Sequence, residues 1–186
     1  MQNNLIFIHR DANELEFFEE FDVMFSNASF HRIPDHHPVR AHIARGFRPG
    51  GRLLVQMGGK GNAAQMFEAR SVLLGKRHWA RYFDGFSFTY GFFCPREDRP
   101  GLTDAGFGPI RVDLIPNHMT YPDLEAFAGQ IRTTWLSRMA RLPEGEQPEF
   151  IRALIDGYLL RHPPDADGII LIGMVRLEAE AIKLPE

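Results

Sequence analysis

Three short stretches of this chain carry groups that could hold and convert a ligand. In the first, the carboxylate of Asp11 could accept a hydrogen bond from an exocyclic amine while the backbone N–H of Ala12 donates to a ring nitrogen, an arrangement suited to adenine. The second is Ser26-Asn27-Ala28, followed by Phe30 and His31, and the third runs from Gln56 to Asn62. Taken alone, each reads as a polar turn or a helix cap. Their joint placement sets them apart: each follows an apolar run, and open α/β sheets bind ligands at the carboxyl ends of their strands.

Other motifs carry less. Gly59-x-Gly61-x-x-Ala64 follows a strand-like run and opens a helical one, as a dinucleotide fingerprint requires, so NAD binding there is an alternative. The acidic residue that should close a second apolar strand about 20 residues on would be Asp84, and the run before it is too polar for a strand. Lys60 is followed by Gly61, not Ser or Thr, so there is no P-loop. His31, His36, His37 and His42 crowd one span, but no two are four apart as a helical metal site needs. With a single cysteine in the chain, packed or solvated imidazoles are expected and no metal. There is no Gly-x-Ser-x-Gly elbow, Cys94 has no activating neighbour, and Trp135 with Met139 at helical spacing reads as core.

The elements that must position these residues follow from periodicity. Leu5–His9 and Phe21–Ser26 are short apolar runs without helical period and are expected to be buried strands. Val39, Ile43 and Phe47 recur every four residues, which predicts a helix that Pro49-Gly50-Gly51 must end. Arg52–Met57 is a third strand, and a glycine-rich turn leads into a helix through about Leu74. This alternation predicts an α/β fold with a mostly parallel sheet. Ile110, Val112 and Leu114 alternate with polar residues, as in an edge strand with one wet face. Leu124 to Met139 repeats at helical spacing as one long, bent helix, and a second helix follows Pro148 and ends before Pro163-Pro164. Ile169 to Ala181 reads as a terminal strand, buried at its start and half exposed at its end.

Composition limits the partners. At 186 residues, with 44% hydrophobic and 24% charged side chains, the chain suits one folded domain over 1–186. Twenty-one basic against 24 acidic residues give a net charge of −3, so no global field attracts nucleic acid. The longest apolar-plus-glycine stretch, Gly168 to Val175, is far short of the roughly 20 residues that span a bilayer. With no signal-like start and a lone Cys94, the reading is a cytoplasmic protein without membrane segments.

Across Phe21-Asp22-Val23-Met24-Phe25-Ser26-Asn27-Ala28, Arg48-Pro49-Gly50-Gly51-Arg52-Leu53, Gln56-Met57-Gly58-Gly59-Lys60-Gly61-Asn62, Asp104-Ala105-Gly106-Phe107 and Met174 to Lys183, the chain resembles the Rossmann-like S-adenosylmethionine-dependent methyltransferases, in particular the trans-aconitate methyltransferase-like group. The resemblance implies S-adenosylmethionine as co-substrate and a small-molecule acceptor, with O-methylation of a carboxylic acid the nearest analogy. It implies that Asp11 and Ala12 contact adenine, that Ser26, Asn27 and Ala28 lie beside the methionine moiety, and that His31 is the catalytic residue near the transferred methyl. Gln56, Asn62 and Trp135 are the residues assigned to the acceptor, the last in a helical cap over 118–163 that joins an antiparallel terminal strand. Arg32 stands where the group often has Trp.

The same resemblance implies a truncated chain. The family opens with a Gly-x-Gly loop that holds the ribose and carboxypropyl end of the donor and with a second strand ending in a ribose-binding acid, and neither unit is present in this sequence. In the family's strand order, 3-2-1-4-5-7-6, those strands separate Leu5–His9 from Phe21–Ser26. Either these two runs pair directly or the second is left as an apolar edge. The edge is a place for self-association or a complementing chain, and activity by this chain alone is not expected. A non-catalytic remnant serving as an interaction module is the corresponding alternative.

Overall fold

The structure is a computed structural model that describes residues 4–86 and 90–185. Phe21–Asn27 forms β1, His36–Gly46 α1 and Phe47–Gly58 β2. This is a strand–helix–strand unit with the two strands parallel, Met24 opposite Leu53, Ser26 opposite Val55 and Asn27 opposite Gln56. α1 starts where the Asp35 carboxylate accepts the His37 N–H at 2.9 Å, and it buries Val39, Ile43 and Ala44. Ala64–Leu74 is α2, Arg77–Ala80 α3 and Pro95–Asp104 α4, followed by β3, Phe107–Tyr121. Leu124–Thr134, Leu136–Met139 and Gln147–Leu159 are α5, α6 and α7, and Ile170–Lys183 is β4.

The four strands form one sheet in the order β1-β2-β4-β3, with β2 and β4 antiparallel. The sheet is therefore mixed, not mostly parallel. Leu5–His9 forms no strand, so β1-α1-β2 is the crossover that gets built, and Leu5 to Ile8 are 59–89% exposed. Strand propensity measures how a side chain fits a pleated neighbour, and this run has none. Of the two outcomes left open above, the edge is the one observed: β1 ends the sheet, with Val23 and Phe25 at 64% and 59% exposure. β3 does lie at the other edge. β4 is most enclosed at Leu177–Ala179 rather than at its start, because it runs between β2 and β3.

The chain divides into two compact units. The first comprises Met1–Lys60, Thr89–Ile115 and Arg176–Glu186. Its core joins Val39 of α1, Phe47 and Leu53 of β2, Leu102 of α4, Phe107 of β3 and Leu177 of β4. Gly59 belongs to this packing: a Cβ there would stand 2.5 Å from Leu114 Cδ2 and 3.1 Å from the Leu177 nitrogen.

The second unit, Gly61–Phe88 and Pro116–Val175, packs around Phe127, Phe150, Leu154 and Tyr158. Trp79 meets Phe150 edge to face at 5.2 Å, and the Tyr158 hydroxyl donates to the Leu171 carbonyl at 2.6 Å. The single long helix expected over 124–139 is broken at Trp135. Thr133 and Thr134 turn their hydroxyls back to the carbonyls of Gly129 and Gln130, a competition that bends helices.

Replacing Gly59 by Ala is expected to lower the unfolding free energy by roughly 1–3 kcal/mol through overpacking. Gly61 has φ +89 with its nearest neighbour, Val175 Cγ2, at 3.6 Å; Gly61→Ala should cost about 1 kcal/mol from backbone strain alone. Urea denaturation of the two variants measures both, and a Gly59→Ala protein as stable as wild type contradicts the close approach.

Candidate functional site

The carboxyl ends of β1 and β2 lie side by side because the strands are parallel and in register. Ser26 sits on the inner face opposite Val55, and Asn27 on the outer face opposite Gln56. Ala28 then turns left-handed, φ 56, while its N–H donates to the Gln56 carbonyl at 2.8 Å. The Gln56 side chain donates in turn to Glu178 at 3.0 Å, a buried carboxylate that Arg111 and Arg176 also hold, each at 2.7 Å.

Past Ala28 the chain enters a 3-10 turn, Phe30–Arg32, that carries His31. Nδ1 of His31 lies 3.3 Å from the backbone nitrogen of Gly58, at the end of β2. A backbone N–H can only donate, so Nδ1 is the acceptor and the neutral ring bears its proton on Nε2. Tyr90 stands edge-on to the imidazole at 5.3 Å and Phe92 lies at 6.0 Å, tilted. Burial, and then the Arg32 charge, hold the pKa of His31 below the ordinary histidine value. The Gly58 N–H acts in the same sense, since protonating Nδ1 would break that bond.

A buried relay fixes the turn. The Phe30 carbonyl accepts from the Ile33 N–H at 2.9 Å and from Nε2 of His36 at 2.8 Å. Nδ1 of His36 is then free to accept from Arg40, 3.3 Å away, and Arg40 is paired with Asp98 of α4. His36, Arg40 and Asp98 are all buried, His36 at 2% exposure. Burial pushes the pKa of His36 down to about 4, with the Arg40 charge adding to it, although the bond to Phe30 works in the opposite direction. The packed imidazole expected in this histidine-rich span is thus His36.

The remaining expected residues fall as follows. Asp11 caps the short turn Ala12–Glu14: its Oδ1 accepts the Asn13 N–H at 2.8 Å and the Asn13 amide at 2.9 Å, and these bonds hold its pKa below the usual carboxylate value. Oδ2 makes no hydrogen bond among the described residues. Ala12 packs against the core of the first unit. Asn62 and Trp135 belong to the second unit. Asn62 Oδ1 accepts the Val175 N–H at 3.0 Å; Trp135 stacks on Phe67 at 6.1 Å and carries the Arg138 guanidinium over its ring at 4.6 Å.

Ser26, Asn27, Ala28, Gln56 and His31 are therefore gathered on one pair of strand ends. Tyr90, Phe92, and the His36–Arg40–Asp98 relay were not foreseen; the aromatic run from Tyr90 to Phe93 was the available signal. The glycines of the dinucleotide-like stretch have local reasons, close approach to β4 at Gly59 and a left-handed turn at Gly61. Among the described residues no group of three or more His, Cys, Asp or Glu could hold a metal ion, and no helix is long and apolar enough to cross a membrane.

A family model described as a methyltransferase domain matches residues 1–55. No curated protein matches the sequence. Among solved structures, a proposed methyltransferase from Bacillus halodurans C-125 superposes with a TM-score of 0.57 at 16% identity, over 96% of this chain and 78% of that one. The YcgJ protein of Bacillus subtilis gives 0.52 at 14% identity, over 95% and 70%. A Haloferax volcanii chain, from a complex of the Trm112 methyltransferase activator with a proposed methyltransferase, gives 0.51 at 18%, over 100% and 64%. The chain has the α/β fold of these proteins.

The relay makes stability depend on pH. The folded pKa of His36 lies below its unfolded value of 6.5, so between the two the unfolded chain binds the extra proton and stability falls as pH falls. From about pH 6.5 to about pH 4 the loss should approach roughly 3 kcal/mol. Urea unfolding at a series of pH values reads it. His36→Gln, which keeps a donor and an acceptor, should flatten that slope, and an unchanged slope would refute the assignment.

Proposed function

We propose that this chain is a methyltransferase domain that uses S-adenosylmethionine to methylate a carboxylate oxygen of a small acid. The observation that carries the reading is the direction of the His31 hydrogen bond. Because Nδ1 is engaged by Gly58, the imidazole presents Nε2–H, a donor and not a base. The methyltransferase-domain match over residues 1–55 and the shared fold support the class.

For the donor, the unused Oδ2 of Asp11 and the N–H of Ala12 would take adenine, and Ser26 to Ala28 would flank the methionine moiety. When bound, it supplies a sulfonium methyl whose transfer to an anionic oxygen releases a neutral thioether and moves no proton. A carboxylate suits a site without a base, because with a pKa near 4 it is already ionised at neutral pH. An alcohol or an ammonium acceptor would have to lose a proton, and His31 has no free lone pair to take it. Nε2–H of His31 holds one carboxylate oxygen and leaves the other to react, and the adjacent Arg32 adds positive charge. Tyr90 and Phe92 keep water from the imidazole, which strengthens its bond to an anion.

Calorimetric titration with S-adenosylmethionine and transfer of labelled methyl to a panel of small carboxylic acids and amines test the proposal. His31→Ala should lower kcat/KM by about 10- to 100-fold, the worth of a hydrogen bond to a charged group, and His31→Gln should restore part of it. The profile of kcat/KM should stay level from about pH 7 upward. A rising limb below the ordinary histidine range that disappears in His31→Ala would make His31 a base, turnover of amines alone would overturn the acceptor class, and absence of donor binding would remove the class itself.

A further inference from the structure

Among the described residues, seven of the thirteen exposed large apolar side chains precede residue 26, and they concentrate on two features, the unpaired Leu5–Ile8 segment and the open edge of β1. An edge strand presents unsatisfied N–H and C=O groups, and a short run of Leu, Ile and Phe is a strand in want of a neighbour. We infer that two copies of this chain associate by strand exchange, Leu5–Ile8 of each pairing antiparallel with β1 of the other.

Charge selects the antiparallel direction. The apolar run ends in His9 and Arg10, and β1 begins after Glu19 and Glu20 and carries Asp22, which is largely exposed and paired on its other side with Arg48 of β2. Antiparallel pairing lays the basic end on the acidic one; parallel pairing would carry it past Asn27. A register with Ile8 opposite Val23 places Ile6 opposite Phe25 on the outer face and Phe7 opposite Met24 on the inner, so apolar groups meet on both faces. His9 then falls opposite Asp22.

The segment comes from a second copy because its own chain holds the connection elsewhere. The Glu19 and Glu20 N–H groups donate to the Arg45 and Gly46 carbonyls at the end of α1, each at 2.9 Å. His42 donates to the Leu15 carbonyl at 3.1 Å, and Asp11 caps the turn that follows the apolar run. These bonds fix residues 11–20 as they stand, and a second copy supplies the strand with all of them kept. Reciprocal exchange is isologous, so it closes as a dimer. This inference stands apart from the methyl-transfer reading.

Sedimentation equilibrium of the full chain should show a dimer across the micromolar range. Ile6→Lys with Ile8→Lys, which alters only exposed positions, should weaken dimerisation by at least about a hundredfold and leave the far-ultraviolet circular dichroism unchanged. In a Cys94→Ser background, chains carrying Ile8→Cys mixed with chains carrying Val23→Cys should form a disulfide between the two on mild oxidation. A strict monomer, a dimer indifferent to the lysine pair, an open-ended polymer, or a disulfide obtained only within one doubly substituted chain would each overturn the exchange.

Discussion

Arg40 and Asp98 are both out of water, and a buried charge without its partner costs several kcal/mol. Much of the first unit is arranged to keep the two together. Asp98 lies on α4 and Arg40 on α1, so the pair ties two helices that are 58 residues apart in sequence. The guanidinium passes over Gly101, where a Cβ would collide with Arg40 Nη1, and this explains a glycine in mid-helix that propensity alone would reject. The second Nη2 hydrogen of Arg40 goes to His36, which must therefore accept on Nδ1 and donate from Nε2 to Phe30. The ion pair thus sets the tautomer of one histidine and the backbone position of the turn that presents the next, His31.

The same unit shows what a parallel pair can do without further neighbours. β1 and β2 need a crossover between them, and α1 supplies it while covering the inner face of β1 and β2. The outer face of this pair has a different solution. There Arg52 pairs with Glu180, and Gln56, Arg111 and Arg176 converge on Glu178, so a buried carboxylate is satisfied by three partners across three strands. On β1 the described polar pairing is Asp22 with Arg48, and Val23 and Phe25 stay exposed beyond that polar band. The other edge, β3, carries one exposed large apolar side chain among the described residues, Ile110, so the apolar edge is chiefly a property of β1.

What could be read from the sequence was what repeats. Val39 and Ile43 announce α1, but Phe47, the third member of that repeat, opens β2, which also takes in the Pro49-Gly50-Gly51 run expected to end the helix; Asp123 marks the start of α5, its carboxylate accepting the Ala126 N–H at 2.7 Å; and Pro148 marks the start of α7. Alternation at Ile110, Val112 and Leu114 placed β3 at an edge. α4 was hidden, because Pro100 and Gly101 look like breakers and the reason for the glycine is an arginine far away in sequence. The Leu5–His9 run was misread for the opposite reason: its residues favour a strand, and pairing, which no residue type encodes, is lacking. At the candidate site, Ser26 to Ala28, Gln56 and His31 were legible as polar residues after apolar runs. Their partners, Gly58 N–H, Tyr90 and Phe92, became visible only through the fold.

The position of His31 also says why its environment matters more than its identity. A histidine in water near neutral pH is divided between charged and neutral forms and between two tautomers. Of these two freedoms, burial limits the first by disfavouring the charged form and the Gly58 N–H limits the second by selecting the tautomer, leaving Nε2–H as the donor of the neutral ring. Phe30, held from both sides by Ile33 and His36, removes the third, motion of the turn itself. A group prepared in this way loses little entropy when it binds an anion, which is what preorganisation requires. A proton acceptor needs the reverse, an accessible lone pair and room for the charge that follows. A half-buried imidazole beside Arg32, with Nδ1 already engaged by Gly58, is poorly placed for that role.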